Sequence, residues 1–134
     1  LLHLKEKVDA GATHLISQLF FDNNDYYNFL YLVRQAGITV PIEAGIMPVT
    51  NRKQIERMVS LCGASLPKKF VRIMHRYGDD PVAMQDAGIA YAVEQIVDLI
   101  SNGVQGIHLY TMNNPLIAHR INQAVASLIR CSNR

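Results

Sequence analysis

Apolar residues along this chain switch between a helical and a strand period, and the switches predict alternating elements. Leu1, Leu4 and Val8 share one helical face, and Ala10-Gly11-Ala12 then makes a loop. Thr13 to Phe21 is almost continuously apolar and predicts a buried strand, bounded by the turn-forming run Asp22-Asn23-Asn24-Asp25. Tyr26, Phe29, Leu32, Val33 and Ala36 repeat at helical spacing up to Gly37, which sits at the C′ position where a positive φ is needed. Ile38 to Met47 predicts a second strand, and Asn51 to Cys62 a second helix with Ile55, Met58, Val59 and Cys62 inward.

Leu66 to Tyr77 predicts an extra helix opened by Pro67, with its lysines and arginines outward. Asp80-Pro81 supplies a cap and a first-turn proline for a long helix, striped by Ile89, Val93, Ile96, Val97 and Ile100 and ended by Asn102-Gly103. Val104 to Thr111 predicts the third strand. Asn114-Pro115 then opens a last helix, striped by Ile117, Ile121, Val125 and Leu128.

Strands separated by helices, with no tight hairpin, predict parallel strands joined by helical crossovers. A closed eight-stranded β/α barrel takes about 250 residues. The expected class is therefore α/β, a C-terminal portion of a TIM (β/α)8 barrel with about three parallel strands, and residues 1–134 are read as one partial domain. The chain starts inside a helix without an initiating Met, which predicts a segment of something longer. Its barrel-facing apolar side chains and strand edges then call for a partner, first of all the N-terminal half of the barrel.

Composition narrows the class further. A hydrophobic share of 49% supports a real core, and a net charge of +2 from interspersed residues argues against a nucleic-acid partner. No apolar run is long enough to span a bilayer, and Cys62 and Cys131 do not make a metal or disulfide spacing. A cytoplasmic protein with reduced thiols is the expectation.

Gln18 is the most informative candidate, an uncharged polar side chain at the end of an apolar strand, where barrels keep binding residues. By the two-residue strand period it shares a face with Ile16 and Phe20, and a buried amide there is either satisfied by neighbours or aimed at a ligand. Gln54 stands fourth in Asn51-Arg52-Lys53-Gln54, a capping-box spacing in which it reaches back to the N–H of the cap. Asn114 reads as a helix entrance, and His108 and Tyr110 share one face of the third strand, Tyr110 being suited to stacking or donation. His14 and His108 read as satisfied strand residues rather than metal ligands, and Asp79-Asp80 as a cap rather than a carboxylate pair. GxGxxG, GxxxxGK[ST] and GxSxG are absent.

Four blocks occur in order: Lys5-Glu6-Lys7-Val8-Asp9-Ala10-Gly11-Ala12, Ser17-Gln18-Leu19-Phe20-Phe21-Asp22, Gly45-Ile46-Met47-Pro48-Val49 and His108-Leu109-Tyr110-Thr111. With them the chain resembles methylenetetrahydrofolate reductases from about Leu2 to about Leu128. The resemblance implies a flavin-dependent barrel that passes a hydride from NAD(P)H to FAD and on to 5,10-methylenetetrahydrofolate, giving 5-methyltetrahydrofolate for one-carbon metabolism and methionine supply.

Carried over residue by residue, Gln18 resembles the glutamine that meets the folate pterin and, in turn, the nicotinamide dinucleotide. Gln54 resembles a second folate-contacting glutamine, and Tyr110 the tyrosine near the aromatic tail. His3 and Lys7 fall where the FAD phosphates and adenosine end are held, Lys7 as a cation beside anionic oxygens. Asn114 stands where an arginine often meets folate, and Met58 where some members stack a phenylalanine.

The resemblance places the general-acid glutamate, the aspartate beside the flavin and most FAD contacts upstream of Leu1, so no catalytic residue is assigned and the segment alone is expected to be inactive. A homo-oligomer is expected when the barrel is complete. The competing expectation is a non-catalytic α/β fragment that assembles or binds a partner through open strand edges; an unrelated barrel enzyme ranks below both.

Overall fold

A computed structural model of the chain describes residues 2–62, 66–111 and 114–132, apart from the side chains at 2, 3, 55, 58, 59, 61 and 62. Among the described residues six helices, α1 (Leu2–Asp9), α2 (Asn23–Gln35), α3 (Arg52–Cys62), α4 (Lys68–Tyr77), α5 (Pro81–Ser101) and α6 (Pro115–Ser132), accompany three strands, β1 (Leu15–Ile16), β2 (Ile42–Ile46) and β3 (Ile107–Leu109). The strands form one parallel sheet in sequence order, with Leu15 opposite Ile42 and Gly45 opposite His108. Sequential parallel order with a helix after each strand is the layout of a barrel sector, as the pattern predicted.

One face of the sheet carries the helices. Leu15, Ile42, Ala44, Ile46, Ile107 and Leu109 point into a core with Tyr26 and Val33 of α2, Ile89, Ala92, Ile96 and Leu99 of α5, and Ile117, Ile121 and Val125 of α6. By the alternation of strand side chains, Ile16, Glu43, Gly45, His108 and Tyr110 lie on the opposite face, which in a barrel is the interior. A second cluster closes the carboxyl ends of the strands, where Phe70 of α4 meets Phe21, Met47, Val49 and Tyr91. The extra helix is therefore a cover over the end of the sheet at which barrel enzymes bind their ligands.

The predicted strands are longer than the observed ones, and side chains explain the difference. Arg34 Nη1 donates to the carbonyls of Ile38 and Val40, at 2.8 and 2.9 Å, and Pro41 has no N–H, so pairing in β2 starts at Ile42. In β1 the ladder stops at Ser17. The Gly45 N–H goes to the Ser17 hydroxyl instead of a backbone carbonyl, at 2.9 Å. Residues 17–20 then run on without strand pairing, and Asp22, expected within a turn, caps α2 by accepting from Asn24 N.

The long helix differs on one point. Asp80 caps it as predicted, its Oδ1 accepting from the N–H groups of Val82 and Ala83. Its buried stripe, however, runs through Met84, Gly88, Tyr91, Gln95 and Leu99 as well as Ile89 and Ile96, while Val97 is 42% exposed. Two partners, the sheet and the strand-end cluster, bury two faces of one helix, which a single-stripe reading does not anticipate. The inward set expected for α3, Ile55, Met58, Val59 and Cys62, lies outside the described side chains.

Polar contacts tie α2 to α5. Asn23 Nδ2 and the Tyr27 hydroxyl both donate to Asp98 Oδ2, at 2.8 and 2.7 Å, which holds that carboxyl below its usual range. Burial, then Asp98, pushes the Tyr27 hydroxyl up to about 12. The Asp98 contribution to stability is present above the ordinary carboxylate range and is lost as pH falls through the lowered value.

Candidate functional site

Gly45 organises the interior face. A side chain there would stand 2.8 Å from the Ser17 carbonyl oxygen, 3.1 Å from Cε2 of Tyr110 and 3.5 Å from the Gln18 carbonyl oxygen. Its absence lets the Tyr110 ring lie across β2 toward the end of β1. The Tyr110 ring and the backbone of Gln18, each just past the end of its strand, thereby approach the same bare position.

Gln18 itself is not the buried strand amide that the period-two reading expected. Its side chain is exposed, its amide makes no hydrogen bond to a described residue, and the buried polar residue is its neighbour Ser17, 6% exposed. Ile16 is exposed and Phe20 buried, so the three do not share a face: the alternation breaks where pairing ends. The Ser17 hydroxyl accepts from Gly45 N and donates to the Gln18 carbonyl at 3.0 Å, fixing the backbone that presents the glutamine.

Ser17 was missed by the sequence reading, although a hydroxyl within an apolar strand is a signal of such a latch. Replacing it by alanine leaves the buried Gly45 N–H unpaired and is expected to cost about 1–3 kcal/mol. The midpoint of denaturant unfolding measures this; an unchanged midpoint would mean that the ladder simply re-forms onto the Ser17 carbonyl.

Lys7 and Gln18 line the same cleft, of about 520 Å³, with Leu4, Ile16, Phe20, Asp25, Tyr26 and Phe29 among its walls. A cation and an amide beside apolar surface suit one edge of a ligand that carries both phosphate and a flat ring. The side chains of His3 and Met58 lie outside the described residues.

Gln54 and Asn114 stand at helix starts. Gln54 Oε1 accepts from both Thr50 N and Thr50 Oγ1 at 3.1 Å, one residue before the predicted capping-box partner, while Asn51 Oδ1 accepts from Gln54 N. With the oxygen occupied, Gln54 presents its amide nitrogen, which bonds to no described residue. Asn114 Oδ1 accepts from Ile117 N at 3.3 Å and so caps α6. Asp79, the other half of the acidic pair, lies 3.7 Å from Arg52.

Near the strand ends a second cleft, of about 410 Å³, contains none of the predicted residues and is lined by Asn23, Lys69, Tyr91, Glu94, Gln95 and Asp98. Gln95 Nε2 donates to the Phe20 carbonyl and to Asn23 Oδ1, and nothing described pairs with its Oε1. Burial, then the charges of Asp22 and Glu94, pushes the Tyr91 hydroxyl up to about 12. It therefore stays a donor, to the Phe21 carbonyl. No described helix is long and apolar enough to cross a membrane, and the described residues contain no group of three or more His, Cys, Asp and Glu placed to hold a metal ion.

Residues 1–126 match the family model described as methylenetetrahydrofolate reductase. The chain is 37% identical to methylenetetrahydrofolate reductase (NADH) 1 of Arabidopsis thaliana over 113 residues, 84% of this chain and 19% of that protein. It is 38% identical to a probable methylenetetrahydrofolate reductase (NADH) of Oryza sativa over 113 residues, again 84% and 19%. Against the 5,10-methylenetetrahydrofolate reductase of Pectobacterium carotovorum identity is 32% over 121 residues, 90% of this chain and 41% of the relative. The chain thus spans about a fifth of the plant proteins and about two fifths of the bacterial one.

Proposed function

The chain belongs to the methylenetetrahydrofolate reductase family, and on that premise we propose that it forms the substrate wall and one edge of the cofactor site of an enzyme reducing 5,10-methylenetetrahydrofolate to 5-methyltetrahydrofolate. The observation that supports this reading is that the Tyr110 ring and the Gln18 backbone both come up to the bare Gly45 at the carboxyl ends of the strands, with the Gln18 side chain left exposed. The reducing equivalents come from NAD(P)H through FAD. The remainder of the barrel, with the general acid, comes from residues outside these 134, and the complete protein works as a homo-oligomer in the cytoplasm.

The residues present fit this assignment. Gln18 offers both a donor and an acceptor with no described partner, which suits the fused ring edge of a pterin and, in turn, a nicotinamide carboxamide. Tyr110 presents a ring face for the aromatic part of the folate, and the Gln54 amide nitrogen, assigned to the folate by resemblance, is an unoccupied donor. Met58 and Asn114 are assigned to the folate by resemblance alone, Asn114 without the charge that would pair with the glutamate carboxylate. Lys7 and Gln18 fit one edge of FAD in the cleft they share, and His3 is assigned there by resemblance. The chemistry FAD supplies is storage of a hydride between the nicotinamide and the methylene group. The side chains here bind, orient and exclude water.

A second reading follows from the sheet. Among the described residues β1 and β3 each pair on one side only, and Ile16 is 42% exposed on the interior face. Such a segment assembles through its edges whether or not catalysis survives.

The absorbance of the protein purified from its complete coding sequence separates the two. The expected result is a flavin spectrum that survives desalting, bleaches anaerobically with NAD(P)H and recovers with methylenetetrahydrofolate. A protein that stays colourless after incubation with FAD would favour the non-catalytic reading.

A further inference from the structure

Two glycines open two crossings on the interior face. Gly45 lets Tyr110 lie over β2, and Gly106 does the same for Glu43, since a side chain at 106 would stand 3.1 Å from Cγ of Glu43. Glu43 thereby reaches from β2 to β3. Its Oε2 lies 3.8 Å from Nδ1 of His108, with the two side chains 35% and 40% exposed. At that distance the contact is electrostatic rather than a hydrogen bond. The His108 ring in turn stands edge-on to Tyr110, with centroids 4.4 Å apart and planes at 65°. Tyr110 is half-buried, its hydroxyl bonds to no described residue, and its strand is at the edge of the described sheet. The ring packs against the strand-end cluster on one side, and Gly45 lies beneath it and His108 beside it.

From this geometry we infer that Glu43 and His108 are positioning residues that hold the Tyr110 ring over Gly45, so that its free face is ready for the aromatic part of the substrate. The inference rests on the reading of Tyr110 as a folate contact. Glu43 orients the imidazole, the imidazole edge orients the phenol ring, and Gly106 provides the space for the first of these contacts. A wall fixed before binding spares the ligand the cost of ordering it, so the benefit falls on folate affinity and not on the hydride step.

The test uses the protein expressed from its complete coding sequence, with kcat and KM for methylenetetrahydrofolate and NAD(P)H, and the Kd for 5-methyltetrahydrofolate by calorimetry. H108A is expected to raise the folate KM and Kd about five- to tenfold, the scale of one half-exposed polar contact plus one ring contact, with kcat and the NAD(P)H KM within twofold. H108F keeps the ring edge and is expected to recover most of the affinity. E43Q and G106A are expected to show smaller losses of the same kind, and E43Q with H108A no more than H108A alone, since both act through one contact.

Unchanged folate affinity in H108A, or equal losses for both substrates, would overturn the inference. Tyr110→Ala is the reference: if it leaves folate affinity unaltered, the assignment of Tyr110 itself fails, whereas a loss there without one in H108A removes only the positioning role.

Discussion

Replacing Gly88 by alanine is expected to destabilise the protein by about 3 kcal/mol or more, although alanine is the better helix former. Gly88 lies fully inside α5, and a Cβ there would overlap the Val49 carbonyl oxygen and stand 2.6 Å from its carbon. Those are backbone atoms, so no rotamer change relieves the overlap: either the helix or the 49–50 peptide must move. Ordinary overpacking costs about 1–3 kcal/mol, and a backbone clash belongs at the top of that range.

The displacement also reaches the candidate site, because Thr50 holds Gln54 through its N–H and hydroxyl. The reciprocal change in the same helix, at exposed Ala90, isolates propensity: Ala90→Gly is expected to cost about 1 kcal/mol. Thermal or denaturant unfolding of both variants measures the contrast. A Gly88→Ala protein more stable than the parent would mean that α5 does not press on the loop after β2.

Gln18→Ala is expected to lower kcat/KM for methylenetetrahydrofolate about 10- to 100-fold while leaving stability within about 0.5 kcal/mol. The first effect follows from losing one or two hydrogen bonds to a polar ring, at about 1.4 kcal/mol per factor of ten. The second follows from exposure, since the side chain supports no described neighbour. Because the same amide is assigned to the nicotinamide in the other half-reaction, flavin reduction by NAD(P)H is expected to slow as well. Stopped-flow measurement of the two half-reactions separates these effects. Normal rates in both would remove Gln18 from the site and, with it, the main support for the proposed substrate wall.

The contrast between the two residues reflects their chemistry. Gly88 contributes by having no side chain where two backbones meet. Gln18 contributes an amide that the fold leaves unused.

The sequence by itself determined the order and type of the elements, their parallel arrangement and the family. Those properties are local or periodic: Asp80-Pro81 starts a helix whatever surrounds it, Gly37 at φ 85° ends one, and apolar residues at helical or strand spacing need a buried face. Gln18 and Tyr110 were legible as candidates for the same reason, since their positions near predicted strand ends were readable, whereas Gln54 and Asn114 read as helix-start residues and became candidates only through the resemblance.

Tertiary structure alone decided what each candidate is free to do. The end of β1 depended on Ser17 taking the Gly45 N–H across the sheet, and exposure of Gln18 depended on where that ladder stopped. The roles of Gly45, Gly88 and Gly106 are defined by atoms of other elements that come within a few ångströms. A glycine's missing side chain has no sequence period, and a hydrogen bond between residues far apart in the chain leaves no pattern near either one; both become visible only when the elements are packed together.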